Sequence, residues 1–250
     1  MNSPVREISD NRAVKTISLL AMALLFSCSY LTDYCPTDSG IRKLPAAGLK
    51  VLILGNSITV HSPDSSIGWY GNWGMAATAI DSDYAHILKR YLSENVGYEP
   101  EVQIASIAHF EKSFNEYQDF GVTEFRDLTA FAPDLVILRI GDNVETADAV
   151  KYDFIFHYGA LISYLKRSDS AIVVTTSCWF QKPTVDACMH MSCEQQNAWF
   201  VEISDLYNNE ENRAEAQHAY SDAGVSRHPG NAGMRAIADR LWNVIRRMVP

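Results

Sequence analysis

Three stretches of the chain carry residue types that can do chemistry. Gly55-Asn56-Ser57-Ile58-Thr59 presents a hydroxyl in a sharp turn, Gly141-Asp142-Asn143 presents a side-chain amide, and His228-Pro229-Gly230-Asn231-Ala232-Gly233 presents an imidazole. A hydroxyl, an amide and an imidazole are the parts of an acyl-transfer site: nucleophile, oxyanion donor and general base. Each stretch alone is weak, because glycine beside a serine or a proline commonly just makes a turn. Their meaning depends on the elements that carry them.

Val51-Leu-Ile-Leu54, Val102-Gln-Ile-Ala105, Leu135-Val-Ile-Leu138 and Ile172-Val-Val-Thr175 are short and mostly apolar on both faces, as strands of a helix-covered parallel sheet are. Four helical stripes alternate with or follow them. Tyr84, Ile87, Leu88, Tyr91 and Leu92 recur at helical spacing after Asp81 and Ser82 as cap candidates, and Phe154, Tyr158, Leu161, Ile162 and Leu165 make a second stripe. Trp199, Ile203, Leu206 and Tyr207 suggest a third, and Met234, Ile237, Ala238, Leu241, Trp242 and Ile245 a fourth. Alternation of this kind predicts a three-layer α/β/α sandwich around a parallel, flavodoxin-like sheet, whose ligands sit at the carboxyl ends of the strands. The first strand runs into the Ser57 turn, the third runs into Gly141, and His228 just precedes the last helix.

The chain has 250 residues with 47% hydrophobic and 20% charged, which excludes disordered and disulfide-scaffold classes and allows one core or at most two. A formal charge of −9 without a Lys/Arg-rich run argues against nucleic acid or an anionic lipid surface as an electrostatic partner. At the amino terminus, Arg6, Arg12 and Lys15 precede the apolar run Ile17–Phe26, which is signal-peptide length and short of a membrane span. Residues 1–27 are expected to be an export signal, 28–47 a tether, and 48–250 the domain. Export favours disulfides or buried thiols for Cys35, Cys178, Cys188 and Cys193, and Cys188 and Cys193 are near enough in sequence to pair. Cys178, Cys188, His190 and Cys193 are zinc-ligand types, but they hold no CxxC pair, and no metal is expected.

From Lys50 to Val249 the chain resembles the SGNH/GDSL hydrolase superfamily. The family's Gly-Asp-Ser turn stands here as Gly55-Asn56-Ser57, and its Gly-x-Asn-Asp block as Gly141-Asp142-Asn143-Val144. The glycine of its second block is missing from Ile104-Ala105-Ser106-Ile107-Ala108-His109, so a backbone N–H of His109 or Ala108 must take its place. In the final Asp-x-x-His block, His228 matches but the acid's position is Val225. The resemblance implies Ser57 as nucleophile, His228 as base, and an oxyanion hole from the amides of Ser57 and of His109 or Ala108 with the Asn143 side chain. His228 is then oriented by Asp222, by a backbone carbonyl of the Gly224–Arg227 turn, or by water. Arg139 and Asp142 are expected to pair with each other or with Glu111. Leu25-Phe26-Ser27-Cys28 likewise resembles a bacterial lipoprotein cleavage box, which implies acylation at Cys28.

Between Ser57 and the first helix lies a long connection centred on Ile67–Met75. Connections of this length are uncommon unless they bind or cover something. Trp69, Tyr70 and Trp73 are suited to stacking on a sugar ring or lining an acyl pocket, although some of them could simply plug the core. The segment looks like that of carbohydrate-directed SGNH proteins. Together these features imply an exported, lipid-anchored serine esterase acting on an acylated carbohydrate without cofactor. A lipid-directed acyl hydrolase and a non-catalytic glycan-binding lipoprotein remain as alternatives, and the oligomeric state stays open.

Overall fold

A computed structural model describes residues 31–36, 41–167 and 170–250. The expected export signal and Cys28 lie outside the described residues.

Five strands form one parallel sheet: β1 (Lys50–Gly55), β2 (Glu101–Ser106), β3 (Leu135–Arg139), β4 (Ile172–Thr176) and β5 (Trp199–Val201). Their order is β2-β1-β3-β4-β5, the flavodoxin-like order expected. Val51 lies opposite both Val102 and Leu135, which places β1 between β2 and β3 with its end flush against β3. β1, β3 and β4 are buried along almost their whole length, whereas the edge strand β2 is partly exposed.

The helices are α1 (Tyr84–Val96), α2 (Ala108–Ser113), α3 (Glu124–Ala130), α4 (Thr146–Lys151), α5 (Phe154–Lys166), α6 (Pro183–Gln196), α7 (Ala223–Ser226) and α8 (Asn231–Ile245). Val51, Ile53, Leu135, Ile137 and Val174 point to one face, where Tyr84, Ile87 and Leu88 of α1 and Met234, Ile237 and Leu241 of α8 close over them. The alternate residues Leu52, Leu54, Val136 and Leu138 are also fully buried, and α5 and α6 pack together as the other layer. This alternation follows from the two-residue period of a strand with helices on both sides.

Three expected features stand differently in the structure, and for the cysteines the structure decides between disulfides and buried thiols. Trp199 is in β5, and the stripe that follows is a 3-10 turn at Ser204–Asn208; a four-residue apolar match is too short to separate strand from helix. The cap of α1 is Asp83, whose carboxylate accepts from the His86 N–H, while Asp81 and Ser82 sit in a preceding 3-10 turn. Cys188 and Cys193 lie on one helix and are free buried thiols, as is Cys178. Burial pushes the Cys188 thiol up to about 11 and Cys193 to about 12, which keeps them protonated and unreactive. The segment expected as a tether is docked where it is described. Tyr34 pairs with Phe200 at the free edge of β5, and Leu44 is buried with its N–H donated to the Met248 carbonyl.

Candidate active site

β1 and β3 end side by side at the point where the winding of the sheet reverses, and both chemistry-bearing turns emerge there. The Ser57 turn is held by Asn56: its backbone carbonyl accepts from the N–H groups of Thr59 and Val60, and its side-chain Oδ1 accepts from Ile58 N–H. Gly55 is required by close approach, since a Cβ there would lie 1.8 Å from Thr59 Oγ1. Gly141 is required by conformation, with φ at 122°.

Ser57 Oγ lies 2.9 Å from His228 Nε2. His228 Nδ1 lies 2.8 Å from the Gly224 carbonyl of α7, and this pairing makes Nδ1 the protonated nitrogen and leaves Nε2 as the acceptor for the serine proton. The orienting group is therefore the turn carbonyl. Asp222 is corrected from catalytic acid to helix cap: its Oδ1 accepts from Val225 N–H at 2.9 Å and fixes the one-turn helix that carries Gly224. Burial lowers the His228 pKa, partly offset by the Gly224 bond, so the imidazole is neutral at neutral pH.

Asn143 stands across the site. Its Nδ2 donates to Glu111 Oε2 at 2.6 Å, and its backbone N–H donates to Glu111 Oε1. Of the two candidates for the missing glycine, Ala108 lines the cavity and His109 does not; the His109 ring is turned to a hydrogen bond with Glu124. The chain passes from β2 into α2 without a positive φ, with Ile107 at −123°, so this turn does not need glycine.

Beneath these groups lies a buried polar cluster. The Arg139 guanidinium donates to Asp142 at 2.7 Å and to Asn56 Oδ1 at 2.8 Å, and Asn56 Nδ2 donates to both Asp142 and Glu111. Asp142 also accepts from the backbone N–H groups of Trp179 and Phe180. Burial would raise Asp142, but Arg139 and these donors hold its carboxyl below the ordinary range. Burial and the nearby Asp142 charge push Glu111 upward.

A cavity of about 810 Å³ opens over Ser57 and His228. Its polar lining includes His61, Ser62, Asn72, Ser106, Lys112 and Asn143, and its apolar lining includes Val60, Ile67, Met75 and Ile104. Trp69, Tyr70 and Trp73 do not line it, which corrects their expected role. Trp69 is 2% exposed, donates its indole N–H to the His61 carbonyl, and packs with Trp73, Tyr220, Met75, Ala214 and Val225 in a second small core. Trp73 donates to the Ala77 carbonyl, and Tyr70 is 74% exposed and does not line the cavity. The loop does reach the site, through Ile67, Asn72 and Met75, residues whose types gave no signal in the sequence.

Fold and site together define a doubly wound α/β protein with a Ser-His pair at its switch point. No protein-family model matches the chain, and no curated protein matches it. Among solved structures it is similar to a GDSL-like lipase from Bacteroides uniformis ATCC 8492, at 15% identity and a TM-score of 0.52 over 79% of this chain and 95% of that one. It is also similar to a family two carbohydrate esterase from Cellvibrio japonicus, at 19% identity and a TM-score of 0.50, over 82% of this chain but 62% of that longer one. The chain has the SGNH/GDSL hydrolase fold.

Proposed function

We propose that this protein is a serine esterase that removes a short acyl group, acetyl, from a glycan, and that it is exported and anchored by a lipid on Cys28. The observation that carries the chemistry is the 2.9 Å contact between Ser57 Oγ and His228 Nε2, with the Asn143 amide on the same cavity. Ser57 attacks the ester carbonyl while His228 Nε2 takes its proton; the tetrahedral oxyanion is received by the Ser57 and Ala108 amides and the second N–H of Asn143. Collapse expels the sugar hydroxyl, which receives that proton from His228. Water, deprotonated by the same imidazole, then releases the acid and returns Ser57.

A glycan substrate is supported by the polar groups around the cavity, which suit a hydroxylated ligand, and by the likeness to a carbohydrate esterase. The purified domain is expected to hydrolyse p-nitrophenyl acetate and Ser57→Ala to lose essentially all turnover. Equal activity of the variant would sink the nucleophile, and octanoyl esters cleaved faster than acetyl esters would move the reading to a lipid-directed hydrolase.

A further inference from the structure

Glu111 is 1% exposed, yet it belongs to no position at which the family resemblance places a functional residue. Every polar contact it makes reaches the two turns that form the site. Oε1 accepts from Asn56 Nδ2 at 3.1 Å, from Gly141 N–H at 2.6 Å and from Asn143 N–H at 3.2 Å; Oε2 accepts from Asn143 Nδ2 at 2.6 Å. The side chain comes from α2, the helix that follows β2, and so ties the second block to the first and third. Its neighbour Asp142 has a cation of its own in Arg139, whereas Glu111 is satisfied by neutral donors alone.

A carboxylate is acceptor-only, whereas a side-chain amide has one end that donates and one that accepts. With Oε2 ionised and at hydrogen-bond distance, only the nitrogen end of Asn143 can face Glu111; the flipped amide would set oxygen against oxygen. One Nδ2 hydrogen is thereby engaged and the other is left to donate. We infer that Glu111 is a positioning residue that fixes the orientation of the Asn143 amide as an oxyanion donor. This rests on the esterase reading above. The carboxylate does not touch substrate. It acts by holding a donor in place before charge develops, so that no reorganisation is needed when the oxyanion forms.

Glu111→Gln keeps size and one acceptor but brings an NH2 group into a site built wholly of donors, which favours the flipped Asn143. On p-nitrophenyl acetate the variant is expected to lose up to about 10²-fold in kcat with little change in KM, the scale of misplacing a catalytic group by about 1 Å. Asn143→Ala is expected to lose about 10²- to 10³-fold. The deciding measurement is the double variant. If Glu111 acts through Asn143, Glu111→Gln costs less than about threefold in the Asn143→Ala background; a merely structural carboxylate would cost the same in both backgrounds. Should Glu111→Gln fail to fold, Glu111→Asp, which withdraws the carboxylate by one methylene, is read in the same cycle. An active wild type with unchanged kcat in the Glu111 variant, or with additive losses, overturns the inference and leaves the esterase standing. A wild type without turnover overturns both.

Discussion

The Ser57 turn holds Asn56 where the SGNH pattern has aspartate, an NH2 group in place of one carboxylate oxygen, and the surroundings give the reason. Asp142, Glu111 and Arg139 already place two carboxyls and one guanidinium in a fully buried cluster, and Asn56 bridges all three by donating to both carboxyls and accepting from the arginine. An aspartate would add a third carboxyl and remove both donations. Asn56→Asp is expected to cost about 3 kcal/mol or more, since an uncompensated buried charge is among the largest single penalties. In a domain of this size that is a fall in Tm of about 6–12 °C, measurable by calorimetry. The histidine carries a pH prediction. Catalysis needs neutral His228, and burial lowers its pKa, so kcat/KM is expected to rise with pH through a value below the ordinary histidine figure of about 6.5. An acid limb centred above 6.5 would contradict the neutral, carbonyl-oriented imidazole. That the turns of Ser57, Asn143 and His228 meet at one cavity was legible because their order and spacing matched a pattern. The Gly224–Arg227 turn was one of three supports expected for His228, and the structure selects its Gly224 carbonyl, whereas the contacts of Glu111 with Asn143 were not legible, since a lone glutamate on a short helix leaves no signal in residue type.

Among the elements, legibility followed periodicity. α1, α5 and α8 each bury one clear apolar stripe, and each expected stripe lies within its helix. α6 was missed because its buried side includes Asp186, Ser192 and three sulfur-bearing residues, so no apolar stripe stands out. The aromatic loop was read as ligand-binding because tryptophans flanked by glycines serve either purpose; only packing decides. Here Trp69 joins the loop to Val225 of α7, the helix whose Gly224 carbonyl holds His228, so this tryptophan supports the histidine while Ile67, Asn72 and Met75 of the same loop line the cavity. Trp69→Ala is expected to cost about 3–5 kcal/mol, a Tm lower by roughly 6–20 °C. It should also reduce kcat on an acetylated oligosaccharide and on p-nitrophenyl acetate by the same factor, because His228 serves both substrates. A loss confined to the oligosaccharide would return Trp69 to the binding surface.

For the whole molecule, the open question is what would hold an acidic protein at a membrane. The chain carries −9, and removing residues 1–27 takes away three positive and two negative charges, leaving a mature protein at −10. Such a charge is repelled by anionic lipid, and no helix among the described residues is long and apolar enough to cross a bilayer. Attachment would then rest on acylation of Cys28, each buried methylene contributing about 0.8 kcal/mol. Residues 29–33 would remain between that lipid and Tyr34, which is already paired to β5. The full-length protein is expected to enter the detergent phase on Triton X-114 partition of cells that export it, and Cys28→Ala to appear in the aqueous phase or to stay unprocessed. Because the anchor acts through the lipid alone, any soluble Cys28→Ala protein should keep the kcat of the wild type on p-nitrophenyl acetate. If wild type and variant both remain aqueous, the lipid anchor is wrong, while the export signal and the site at Ser57 are untouched by that result.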